Sequence, residues 1–136
     1  MDYKKTSPKL WTGRISDQNL YIHEKVVCID INEFVPIKNL KTIALLGYAC
    51  DEGVKRNQGR EGAAEGPDAI RTVLGKFPNH LHTETQLIDF GNILCIDSNL
   101  ENTQRLLAEK INTLLDKNTF PIVLGGGHDV AFGQPF

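Results

Sequence analysis

No apolar run in this 136-residue sequence approaches the roughly 20 residues a bilayer-spanning helix needs, so no membrane partner is expected. Charge is nearly balanced, with a formal net charge of -2 and a pI near 6.1, which argues against nucleic acid or an anionic surface as a partner. Cysteine is scarce. Cys28, Cys50 and Cys95 are widely spaced in apolar sequence with no C-x-x-C pair, and they read as small core residues of a reducing compartment. No apolar segment follows the polar start Met1 to Thr6, so secretion is not expected and the cytoplasm is. A phosphate loop of the G-x-x-x-x-G-K-[ST] type is absent, and G-x-G-x-x-G fails because position 130 is Val130.

What the chain does have is Phe120 to Asp129, around which the rest can be arranged. Ile122, Val123 and Leu124 form a short apolar run suited to a strand covered on both faces of a parallel sheet. Gly125, Gly126 and Gly127 then strip every side chain from the strand exit, which lets the backbone turn or another group come close. His128 and Asp129 follow at the carboxyl end, where open α/β sheets keep their ligand sites. A histidine there suits metal ligation or proton transfer.

Upstream, the β-branched stretch Lys25 to Ile31 predicts a strand. Ile43 to Gly47 predicts a buried strand, followed by a long structureless loop from Tyr48 to Gly66. Pro67 and Asp68 mark a helix start, and Ile70, Val73, Leu74 and Phe77 share one apolar face. Leu87 to Gly91 predicts a second buried strand. Ser98 with Glu101 fits a capping box opening a helix whose apolar face is Leu107, Ile111, Leu114 and Leu115. The order strand, helix, strand, helix, strand predicts an α/β domain spanning 1–136, with two right-handed crossovers in a parallel sheet. Gly133 and Pro135 cut short the helix that should cover the last strand, so a piece of a larger α/β protein is expected.

His80, His82 and Glu84 would share one face if extended, a conceivable first shell for a divalent metal. A solvated polar connector after Pro78 is the favoured reading.

Several stretches together resemble the ureohydrolases, the family of arginase, agmatinase and formimidoylglutamase. They are the Gly125 to Asp129 run, the Trp11 to Arg14 signature, Gly47 to Val54, the loop and helix start from Asn57 to Arg71, and Leu87 to Asn92. Gly127, where arginases carry aspartate, favours the formimidoylglutamase branch. The resemblance implies a partial arginase-like fold: a three-layer α/β/α domain with a parallel sheet, its C-terminal portion missing. It also implies a binuclear Mn2+ centre that activates hydroxide against a small-molecule amidine or guanidine. For N-formimidoyl-L-glutamate the products are glutamate and formamide, in histidine degradation. His128 matches the family's first metal ligand. The D-x-H-x-D and D-x-D motifs that supply the other ligands do not occur in these residues, so this chain alone is expected to hold no metal pair and to be inactive. Arg56, Asn57 and Arg60, on the same carboxyl edge, are candidate contacts for substrate carboxylates. The alternatives are another guanidino or amidino hydrolase, or a non-catalytic binding module; a homo-oligomer is left open.

Overall fold

The computed structural model describes residues 2–133. Its strands are β1 (Tyr3–Lys4), β2 (Val27–Cys28), β3 (Lys41–Ala49), β4 (Thr85–Leu94) and β5 (Phe120–Leu124). Its α-helices are α1 (Ile22–Lys25), α2 (Glu52–Arg56), α3 (Gly66–Leu74) and α4 (Leu100–Asp116). They build one sheet in the order β1-β4-β3-β5, with β2 also paired to β4.

The central strands alternate, and the alternation makes the layers. Ala44, Leu46 and Tyr48 of β3, with Ile88 and Phe90 of β4, face α4 and pack on its Leu100, Leu107, Ile111 and Leu114. Leu45 and Leu87 face the other way, where Trp11, Ile22 and the half-buried Leu74 cover them. Burial on both faces requires the near-continuous apolar runs that made these strands legible in the sequence.

β3, β4 and β5 are parallel, with Leu45 beside both Asp89 and Ile122. β4 is reached from β3 on one side and β5 lies on the other. A crevice therefore forms between the carboxyl ends of β3 and β5, where open sheets bind ligands.

Several expectations need correction. The sheet is mixed, because β1 runs antiparallel against Asn92 and Ile93 of β4. Gly91 makes this pairing feasible: its φ is +94°, and a Cβ there would sit 2.2 Å from the Lys4 carbonyl. Of the segment 25–31 only Val27–Cys28 is strand, since Ile22–Lys25 closes a helical turn and Ile31–Glu33 a 3-10 turn. Residues 48–66 are not a structureless loop, because β3 runs on to Ala49 and α2 and a 3-10 turn at Ala63–Glu65 follow. On α3 the proposed apolar face is largely solvent-facing, with Ile70, Val73 and Phe77 exposed and Pro67 and Arg71 buried instead. Leu115 is likewise exposed. The cap of α4 is Asn99, whose side chain accepts from the Asn102 amide; no Ser98–Glu101 box forms, and Glu101 pairs with Arg56.

Arg71 wins the inner face of α3 because a carboxylate waits beneath it. Its Nε donates to Asp89 Oδ2 at 2.8 Å and its Nη2 to Oδ1 at 2.9 Å, with both side chains 0% exposed. The Trp11 indole, the Thr6 hydroxyl and the Gly91 amide also donate to Asp89. A buried ion pair persists only when its remaining polar positions are satisfied, and here they are. Arg71 Nη1 reaches on to Asn92 and Asp68, tying the start of α3 to the end of β4.

Candidate functional site at the carboxyl edge

His128 is exposed, at the start of a short 3-10 helix (His128–Gly133) that follows β5 directly. Gly126 and Gly127 are there for close approach. The chain does bend at Gly126 and Gly127, but none of the three glycines takes a left-handed φ, so the bend does not by itself require glycine. Instead the Gly126 and Gly127 amides donate to the carbonyls of Tyr48 and Cys50, both at 2.9 Å, carrying the β3–β5 pairing past the strand ends. A Cβ on Gly126 would lie 2.2 Å from the Cys50 carbonyl. A Cβ on Gly127 would lie 2.7 Å from Asp129 Oδ1.

Asp129 turns inward while His128 turns out. The Tyr48 hydroxyl donates to its Oδ2 at 2.7 Å, and Gln104 Nε2 of α4 donates to the same oxygen at 3.3 Å. Burial, reinforced by the neighbouring carboxylate, raises the Tyr48 phenol far above its ordinary range, so it stays protonated and remains the donor. Asp129 Oδ1 is buried without a hydrogen-bond partner among the described residues and lies against Gly53 and Gly127, where neither residue carries a side chain. Tyr48, Asp129 and Gln104 thus clamp the turn carrying His128 between β3 and α4. Val130 packs on the α4-side core just beyond.

A cleft of about 400 Å³ opens beside the imidazole, lined by Gly53, Val54, Asn57, Gly59, His128 and Asp129. The fold therefore brings Asn57 together with His128. It does not bring Arg56, whose guanidinium donates to Glu101 Oε1 at 2.7 Å and to the Ser98 carbonyl at 3.0 Å. The contact with Glu101 raises the pKa of Arg56 further, and the side chain tethers α2 to the start of α4 instead of facing the cleft. Arg60 is exposed on the turn after α2 and is not among the cleft residues. His80, His82 and Glu84 are exposed in the turn leading into β4, at the opposite end of the sheet, and His82 Nδ1 accepts from the Glu84 amide. The connector reading holds. Tyr48 and Gln104 were missed as parts of the clamp; Gln104 carries no local signal, being one polar residue on a helix.

Among the described residues no three His, Cys, Asp or Glu side chains converge as metal ligands. One outward imidazole and one inward carboxylate do not make a manganese site by themselves, since such sites draw on several donors.

Comparison with known proteins gives this edge its context. The arginase family model matches residues 41–134. Formimidoylglutamase from Lysinibacillus sphaericus (strain C3-41) is 43% identical over 136 residues, covering 97% of this chain and 42% of that protein. The same enzyme from Cupriavidus pinatubonensis is 53% identical over 89 residues, covering 65% of this chain and 28% of that one. Among solved structures, Trypanosoma cruzi formiminoglutamase, as an asparagine-to-histidine variant with Mn2+, superposes with a TM-score of 0.60 at 33% identity. It covers 71% of this chain and 34% of that one. The chain spans about two-fifths of the length of the first of these relatives. A match over most of the chain, running from β3 through the glycine-histidine turn, shows that this chain belongs to the arginase family.

Proposed function

We propose that this chain is the N-terminal part of a cytoplasmic, manganese-dependent hydrolase of linear amidines that converts N-formimidoyl-L-glutamate to glutamate and formamide, a reaction of histidine degradation. The observation that carries the reading is His128, held outward at the switch point of the sheet beside an open cleft, by a clamp that uses no part of the imidazole. The naming of its relatives as formimidoylglutamases supports the substrate.

Manganese, where bound, would supply activated hydroxide, and the residues here offer it one imidazole, that of His128. Their own contribution is to shape the cleft. Gly53 and Gly59 leave its wall bare, and Asn57 presents an amide to a polar substrate. Arg56 acts one step back, holding α2 in place through Glu101.

The test compares the chain alone with a complete protein containing it. With Mn2+, the complete protein should turn over N-formimidoyl-L-glutamate in preference to arginine and agmatine, and His128→Ala should abolish that turnover. The 136-residue chain alone should show no turnover and no stoichiometric Mn2+. Hydrolysis by the isolated chain, or full activity of His128→Ala in the complete protein, overturns the reading.

A further inference from the structure

β3 and β4 pair in parallel up to Ala49 beside Leu94, and the next residue on each strand is a cysteine. Neighbouring strands lie about 4.8 Å apart, within the Cα separation of about 4.4–6.8 Å that a disulfide spans. Cys50 and Cys95 line the same pocket of about 220 Å³, with Ala49, Asp51, Lys55 and Ser98. Their thiols are near enough for Cys95 to act on the ionisation of Cys50. Cys50 is fully buried in the α4-side core and Cys95 is half-buried at its margin. Cys28, by contrast, belongs to the opposite face of the sheet.

We propose that Cys50 and Cys95 are a redox-modifiable dithiol that closes to an intramolecular disulfide when a small-molecule disulfide oxidises it. The Cys95 thiolate, the accessible member, attacks one sulfur of the oxidant RSSR. A bond forms to Cys95, and the departing RS⁻ takes up a proton as RSH. Cys50 then gives up its proton and attacks the Cys95 sulfur, releasing the second RSH. Two protein thiols are oxidised and one disulfide is reduced to two thiols. Burial pushes the Cys50 thiol up to about 11, which suits it to this second, intramolecular role and not to first attack. Closure joins the residue leading into α2, whose chain lines the His128 cleft, to the residue leading toward Ser98 and Glu101, which hold Arg56. The bond would stiffen the edge on which the candidate site is built. This proposal rests on strand register, the shared pocket and the burial of the two thiols, and is independent of the hydrolase reading.

The experiment treats dilute folded chain with bis(2-hydroxyethyl) disulfide, quenches with an alkylating agent and measures intact and peptide masses. Free thiols should fall from three to one, with a cross-linked Cys50–Cys95 peptide and an alkylated Cys28, and dithiothreitol should restore all three. Cys28→Ser should leave the cross-link in place, and Cys95→Ser should eliminate it. Retention of three free thiols, a mixed disulfide at Cys95 that never resolves, or cross-links running through Cys28 overturns the proposal. Should Cys95→Ser unfold, Cys95→Ala serves the same purpose.

Discussion

Two polar clusters sit on this sheet, one midway along β4 and one just past the carboxyl end of β5 on the far side of β3, and they are built oppositely. Around Asp89, both carboxylate oxygens are filled by Arg71, Trp11, Thr6 and a backbone amide, and the charged pair is sealed from solvent. Around His128, the ring stands in solvent, and its neighbour Asp129 holds two neutral donors on one oxygen and, among the described residues, none on the other. Both clusters lie in stretches that carry the family resemblance. The difference teaches that a shared motif can hold the fold as readily as it can do chemistry, and that satisfaction of the buried atoms tells the two apart.

The comparison is sharpest where a buried charge is left alone. Arg71→Met strands Asp89 in the core and should lower stability by about 3–5 kcal/mol, read from urea unfolding of the chain. The double variant Arg71→Met with Asp89→Leu should recover part of that loss, and a purely additive result would break the claim that the pair acts as a unit. Next in size is Gly126→Ala, whose new methyl would meet the Cys50 carbonyl and should cost about 1–3 kcal/mol. Tyr48→Phe removes the better of the two Asp129 donors. It should cost about 1 kcal/mol and move the His128 ring resonances, although it touches no atom of that ring.

His128→Ala should change stability by less than about 0.5 kcal/mol; a large loss would mean that the imidazole belongs to the fold. The smallest effect concerns pH. Glu24 accepts from the amides of Ser16, Asp17 and Tyr21 and from the Ser16 hydroxyl. These bonds, those from Ser16 first, lower its pKa from 4.5 to about 2. A carboxylate with a depressed folded pKa stabilises above its unfolded pKa and loses that contribution as pH falls through its folded one. The contribution should fade between pH 4.5 and about 2, and Glu24→Gln should remove that pH dependence.

Much of the fold was legible because its physics is local. Ile43 to Gly47, Leu87 to Gly91 and Phe120 to Leu124 announce themselves by apolar runs, and the long helix by its repeating leucines. The errors came where a distant partner decides. Tyr3 and Lys4 are strand only because β4 offers a free edge opened by Gly91. α3 turns its apolar residues outward because Arg71 is drawn to Asp89 across the sheet. Arg56, which looked like a reader of carboxylates, is claimed by Glu101 from a helix 45 residues on.

The sequence by itself determined the succession of the three long strands and the two longer helices, the place of His128 just past the carboxyl end of the last strand, and the family to which these residues point. These follow from periodicity, glycine content and short motifs that each lie within one stretch of chain. Only the tertiary structure decided which polar side chains are sealed in the core, which lie open at the cleft, and which cysteines stand side by side. Burial and partnership are properties of pairs brought together by folding, and no single stretch contains both members.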